Sequence, residues 1–284
     1  MPETRILNEA EKLEEIEQSK DMQKTLLAIE KVMNREDISE SEKKRLSIEI
    51  IDKKLEELKQ AIVGKQHDNG WDLSEEKAKD VFSEDEIILL RGYREEDNDF
   101  IRQIKKENSY NPDNYDDDEF WNMSSMWLRR KNSFLCSVIH KQDSQFIGYI
   151  SIKDTSRNLW EIAIELLAEH CNKGYGFRAV STFLPAVSKL TGKKQFQALV
   201  EVDNLPSQRL MEKAGARLID LYDYAFHGDE EKAAAFEESH LDRITDRIID
   251  LANQIGVEPR KLLSHVLDYR FYVEDGKLVN KRRG

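Results

Sequence analysis

Two short segments place reactive or ligand-holding groups at close spacing. Residues 168–179 read Ala-Glu-His-Cys-Asn-Lys-Gly-Tyr-Gly-Phe-Arg-Ala and follow a strand-like run. Glycines at 174 and 176 let the main chain approach a ligand and adopt dihedrals closed to other residues. The amides of Lys173, Tyr175 and Phe177 then share one concavity at the start of a helix, whose dipole adds partial positive charge. That is a place for a pyrophosphate, and Lys173 and Arg178 add charge beside it. A plain glycine turn before a helix is the bland alternative. The second segment, residues 204–216, reads Asn-Leu-Pro-Ser-Gln-Arg-Leu-Met-Glu-Lys-Ala-Gly-Ala. Asn204 can bond a ligand or cap the helix, and the two uses are compatible. Ser207 can supply a proton or simply begin the helix.

Between residues 160 and 166 the chain alternates. Trp160, Ile162, Ile164 and Leu166 take one face of a strand; Glu161, Ala163 and Glu165 take the other. Two carboxylates flanking a small residue can receive a proton from an amine or remain solvated strand residues. A base matters most for a lysine-type amine, below roughly 0.1% neutral at pH 7, against roughly 15% for an α-amine. Upstream, residues 109–127 hold Asp113, Asp116, Asp117, Asp118 and Glu119 with Tyr110, Tyr115, Trp121 and Trp127. This acidic, aromatic run suits a cationic group; it equally suits the positive end of the next helix.

The elements that must position these groups follow from periodicity. Residues 5–33 carry a helical stripe of Leu7, Leu13, Ile16, Met22, Leu26, Ile29 and Met33. Ser39 or Ser41 can cap a second helix with Leu46, Ile50, Leu55, Leu58 and Ile62, closed by Gly64. A linker containing Asn69-Gly70 follows, then a short helix from Ser74 to near Ser83. Strands are expected at 87–91, 134–140, 146–152, 159–167, 195–202, 218–226 and 269–273. Helices are expected at 94–106, 119–130, 175–191 and 207–214, the third continuing past Pro185 or kinking there. Residues 233–249 and 259–266 add two more, with Gly256 between them, and Asp275-Gly276 makes a turn. A meander followed by strand–helix alternation implies a mixed sheet. The domains are therefore 1–85, a helical hairpin extension and linker, and 86–284, an α/β domain with a helical insertion at 229–265. The N-terminal stripes pack internally or serve a homodimer or protein partner.

Net charge is −12, with 44 basic against 56 acidic residues, a poor balance for nucleic acid and a good one for a cationic acceptor. Ala252 to Gly256 with Leu262 has helix-turn-helix spacing, with Arg260, Lys261, Ser264 and His265 as its readers. The acidity of 229–267 argues instead for a structural hairpin, so no DNA is expected. Two cysteines, Cys136 and Cys171, demand no disulfide and fit a reducing compartment. No apolar run approaches membrane length, so a cytoplasmic location and no membrane contact are expected. The tail Lys281-Arg282-Arg283 is short and basic.

Taken in order and spacing, these motifs resemble the GNAT superfamily of N-acetyltransferases, nearest the RimJ/RimL type that acetylates ribosomal-protein N-termini. Ile88-Leu89-Leu90-Arg91 with Asp97, Phe146-Ile147-Gly148-Tyr149-Ile150, residues 161–176, and Asn204-x-x-Ser207 with Glu212-Lys213-x-Gly215 carry the resemblance, over roughly 86–228 plus 266–274. It implies a GNAT-like mixed, splayed seven-stranded sheet with flanking helices, the N-terminal hairpin and insertion being additions. It implies acetyl-CoA as co-substrate, no metal, and transfer to a primary amine, a protein N-terminus or a small amine, by direct attack in a ternary complex. The implied cofactor-binding residues are Leu166, Cys171, Asn172, Lys173, Gly174, Tyr175, Gly176, Phe177, Asn204 and Ser207; the implied catalytic residues are Glu161 and Ser207. An amide between Ala163 and Leu166 would meet the thioester carbonyl. Two positions depart from the pattern. Cys171 stands where Gln or Arg is usual, and Met211 where many members place Tyr, leaving Ser207 as proton donor. A non-catalytic acyl-CoA-binding interaction module is the alternative.

Overall fold

The computed structural model describes residues 27–35, 37–50, 53, 71 and 73–280. The chain divides into two compact units between Gln66 and His67. In the first, residues 27–33 (α1) and 40–50 (α2) are helical. Ser39 rather than Ser41 caps α2, its hydroxyl accepting from the Glu42 amide at 3.3 Å. The Ser47 hydroxyl approaches Met33 Sδ at 3.7 Å, joining the two helices. Leu7, Leu13, Ile16, Met22, Leu26, Leu55, Leu58, Ile62, Gly64, the Asn69-Gly70 turn and the basic tail lie outside the described residues.

The second unit is built on one sheet. Its strands are β1 (Ser83–Glu84), β2 (Ile88–Gly92), β3 (Phe134–His140), β4 (Phe146–Ile152), β5 (Trp160–Leu166), β6 (Gln195–Val200), β7 (Arg217–Tyr222), β8 (Val266–Glu274) and β9 (Lys277–Val279). The order is β1-β2-β3-β4-β5-β6-β8-β7, with β9 pairing β8, so the described residues form nine strands rather than seven. The two additions are short. The β8–β9 turn forms because Asp275 and Gly276 both take positive φ, 48° and 72°, which suits a tight hairpin. The helix expected from Ser74 stops at Lys77 (α3), and β1 follows it.

Helices flank both faces. On one side lie α4 (Asn98–Glu107) and α5 (Asp118–Ser124), where Ile101, Ile104 and Trp121 pack on Leu135, Phe146 and Tyr149. On the other, α6 (Tyr175–Thr191) buries Ala179, Val180, Phe183, Leu184 and Val187 against Trp160, Phe196 and Phe271. Helix α6 runs through Pro185 unbroken, and Gly174 and Gly192 bound it in left-handed conformation. The opening motif is tied by a buried bidentate pair. Arg91 donates to both oxygens of Asp97 at 2.7 and 2.8 Å, and the Ser137 hydroxyl donates at 2.6 Å. This joins β2 and β3 to the start of α4.

After β6 come α7 (Leu205–Lys213) and β7; then α8 (Glu230–Ser239), α9 (Asp246–Ile255) and α10 (Lys261–Ser264) precede β8. The single helix expected over 233–249 is two, because Thr245 caps a new helix by accepting from the Ile248 amide at 3.4 Å. Helix α10 is one turn long, Arg260 Nε is 2.6 Å from Glu258, and Lys261 Nζ is 3.1 Å from Glu237. Ala252 and Leu262 are buried in the main core. The helix-turn-helix spacing therefore belongs to a structural hairpin. Among the described residues no helix is long and apolar enough to cross a membrane.

Candidate functional site

The sheet parts at its one parallel pair. β5 and β6 are in register only at Trp160↔Phe196 and Glu161↔Gln197. Beyond that point β5 continues to Leu166 on β4 alone, and β6 continues to Val200 on β8 alone. The facing edges of both strands thus carry main-chain groups without a ladder partner across the gap. Helix α6 follows β5 and α7 follows β6, so both helices start at the open end of the parting.

Gly176 brings the two helices together. A Cβ there would lie 3.0 Å from Leu210 Cδ2 and 3.8 Å from Ile164 Cδ1. Its absent side chain serves close packing of α6 on α7, where the sequence suggested close approach of a ligand. Gly174 differs: its φ is +86° and a Cβ would meet nothing within 4 Å. Asn172 is also left-handed, φ 61°. Among the described residues no side chain caps the N-terminus of α6. The first-turn amides of this long helix are therefore available to an anion, as a diphosphate requires.

The charges around the loop differ from expectation. Lys173 is exposed. Arg178, expected to add charge for a phosphate, is instead neutralised by Asp85 at 2.8 Å and Glu86 at 2.5 Å. Cys171 is a free, exposed thiol. Partial burial, and then the Glu107 carboxylate, raise its pKa, so it is not an activated nucleophile. His170 is buried in the loop with its ring edge toward Tyr175, centroids 6.0 Å apart.

The second signature forms the start of α7. Asn204 caps it, its side-chain oxygen accepting from the Ser207 amide at 3.1 Å, which leaves the side-chain NH2 outside the cap. Ser207 is half-buried. Met211 is buried in the core, so no proton donor arises there. Gln208 escaped the sequence reading. It is buried, donates to the carbonyls of Glu201 (3.1 Å) and Val202 (2.7 Å), and accepts from Arg247 at 2.8 Å.

The alternation of β5 places Glu161, Ala163 and Glu165 on the face of α4 and α5, away from α6. Glu161 is buried at the closed end of the parting and ion-paired with Lys153. Glu165 lies along the parted stretch. It accepts from the Tyr149 hydroxyl on β4 and from Lys105 Nζ on α4, the latter at 2.5 Å. Burial, and then the Glu165 carboxylate, push the Tyr149 phenol well above its usual pKa, so it stays a neutral donor. Gln197, across from Glu161, is 1% exposed, and both polar atoms of its amide lack a hydrogen-bond partner among the described residues. Lys105, Tyr149 and Gln197 escaped the sequence reading as site residues, because the packing of α4 on the sheet brings the first to Glu165 and strand register brings the other two to the carboxylates.

The acidic run is largely engaged. Asp117 caps α5 through the Phe120 amide at 2.7 Å, Asp116 pairs with Lys106 at 2.5 Å, and Asp118 with Arg102 at 2.7 Å. Trp121 is core. Only Trp127 of the named tryptophans meets the Glu165 cluster, its ring centroid 5.6 Å from that of Tyr149.

The described residues thus form a mixed sheet parted between two parallel strands, with helix α6 opening at the parting. Residues 88–217 match the family model described as acetyltransferase (GNAT) domain. The chain carries that domain and is an acetyl-CoA-dependent N-acetyltransferase. Solved structures of similar fold include a GNAT-family acetyltransferase from Bacillus anthracis, 17% identical, covering 67% of this chain and 97% of that one with TM-score 0.44. A ribosomal-protein-S5-alanine acetyltransferase from Vibrio fischeri is 16% identical, covering 69% and 98%, TM-score 0.45. A spermidine/spermine N-acetyltransferase from Vibrio cholerae is 14% identical, covering 66% and 92%, TM-score 0.41. No curated protein sequence matches the chain.

Proposed function

We propose that this enzyme transfers the acetyl group to a primary amine, of a protein N-terminus or a small molecule, directly in a ternary complex. The observation that carries the reading is the parting of β5 from β6, with an uncapped α6 at its mouth and two carboxylates on the opposite face of β5. The co-substrate supplies an acetyl group activated as a thioester. The amides of residues 171–177 take its diphosphate, with Lys173 beside them. The unpaired edge of β5 from Ile162 to Leu166 hydrogen-bonds its pantetheine arm and, at the reacting carbonyl, donates an N–H to the developing oxyanion. The Asn204 NH2 bonds the same arm from the other side of the gap.

Ala163, the small residue of its face, leaves room for the acceptor between Glu161 and Glu165, each two strand positions away, or about 7 Å. Glu165 receives the incoming ammonium. Glu161 takes the proton through water, leaving a neutral amine to attack. Ser207 donates a proton to the departing sulfur as the carbon–sulfur bond breaks, and regains one through water from the attacking nitrogen, which becomes the amide. Cys171 stays protonated and forms no covalent intermediate.

Thiol release from acetyl-CoA over a panel of primary amines tests this. Glu161→Gln should lower kcat by about a hundredfold or more with little change in KM. Glu165→Gln should chiefly raise the acceptor KM. Ser207→Ala should slow release at saturating acceptor, by less. Tight acetyl-CoA binding with no turnover on any amine would sink the reading and leave a binding module.

A further inference from the structure

Lys105 carries the most informative contact outside the donor site. Its ammonium sits 2.5 Å from Glu165, 5.3 Å from the centroid of the Trp127 ring and 5.5 Å from that of Tyr149. The two rings stand 5.6 Å apart, and the Tyr149 hydroxyl fixes the same carboxylate oxygen that Lys105 contacts. Two aromatic faces and one oriented carboxylate form a receptor for a primary ammonium. The receptor opens on the parted half of β5, and Lys105 and Glu165 are each about a quarter exposed, at 25% and 24%.

Helix α4 does not need this tie. Ile101 and Ile104 anchor it fully buried, and the Arg91–Asp97 pair fixes its first turn. The neighbouring cations Arg102 and Lys106 pair with acids of the 109–118 connection. Lys105 alone turns to the sheet, toward the carboxylate beside the vacant Ala163 position.

We infer that Trp127, Tyr149 and Glu165 are the subsite for the ammonium end of the acceptor, that this acceptor is a primary amine on an unbranched aliphatic stem, and that Lys105 occupies the subsite until the acceptor displaces it. The inference rests on the amine-acceptor reading above. An aliphatic amine with pKa near about 10.4 arrives almost wholly as its ammonium ion at neutral pH, the form the subsite recognises. Lys105 presents the same ammonium on the same unbranched stem. It therefore competes with the acceptor and raises its apparent Kd by the reciprocal of the fraction of molecules in which the subsite is open.

The test uses the full chain and n-butylamine at neutral pH without acetyl-CoA, read by tryptophan fluorescence. Lys105→Ala should bind butylammonium at least about tenfold tighter than wild type. n-Butanol, equal in stem but uncharged, should not bind, and the gain should vanish in Lys105→Ala with Glu165→Gln. Equal binding by wild type and Lys105→Ala, binding by neither, or a gain that survives Glu165→Gln overturns the inference. A wild-type arm decides the matter if the variant fails to fold. Saturating butylamine should make the Lys105 amine of wild type several-fold more reactive toward an acylating label as it leaves Glu165; unchanged labelling overturns the inference. Calorimetry with acetyl-CoA on the same preparation separates the two readings. Donor binding with failed amine arms removes this subsite alone, and absent donor binding removes the function it rests on.

Discussion

The two faces of β5 are built from different material. On the α6 side, the proposed donor surface consists of main-chain amides at an uncapped helix end and along a strand edge without its neighbour. On the α4 side, the proposed acceptor surface consists of side chains from three elements, Trp127, Tyr149 and Glu165, with Lys105 seated on them. Amides carry no titratable proton in the working range and accept almost any sequence, so such a surface depends on backbone shape. Carboxylates, phenols and ammonium groups depend on identity, register and pH. One strand thus separates a site that resists substitution from one that substitution can retune.

The largest expected break in this contrast is Gly174→Glu. The position is open, so the fold should lose only about 1 kcal/mol from the left-handed backbone. A carboxylate among the anion-binding amides should weaken acetyl-CoA by about a hundredfold or more, measured by calorimetry. Retained donor affinity would show that the amides do not hold the diphosphate. Gly176→Val comes next. Because a Cβ would already meet Leu210 at 3.0 Å, branching must push α6 from α7. Overpacking of this kind should cost about 1–3 kcal/mol and lower Tm together with donor affinity.

Alkaline pH should give the smallest and most selective effect. The folded pKa of the Tyr149 phenol lies above its unfolded value near about 10, so the neutral phenol favours the folded state. Its contribution is complete below pH 10 and declines above it, by at most about 1.4 kcal/mol per pH unit, until the folded group ionises. Denaturant titrations at pH 8 and 11 should show a smaller alkaline loss in Tyr149→Phe than in wild type. An equal loss in both would assign the decline elsewhere.

This contrast also explains what the sequence revealed. Alternation from Trp160 to Leu166, glycine spacing at 174 and 176 and the Asn204 cap are local signals, and strands, helices and loop follow from them. The short β9 was missed because three residues make no pattern, although the Asp275-Gly276 turn that creates it was visible. The 233–249 helix was over-extended because apolar spacing continued across the break that Thr245 makes. Side-chain partnerships were mostly invisible. Arg178 meets Glu86 across 92 residues and Lys105 meets Glu165 across 60, distances at which composition carries no register. Gln197 carried no signal of its own within the expected strand, and only its register beside Glu161 places it in the interior. Gly176 was assigned to the ligand because glycine spacing does not tell approach of a ligand from approach of a helix.

The helical segment before β8 lies outside the residues matched to the family, yet it reaches the turn that leads into α7. Arg247 donates at 2.8 Å both to the Val202 carbonyl and to the Gln208 side chain, which itself clasps the Glu201 and Val202 carbonyls. The segment therefore acts as a splint on the turn that presents Asn204 and Ser207. Trimming the gene to its matched stretch would remove that splint along with strand β8, and the shortened enzyme would be a poor stand-in for the whole.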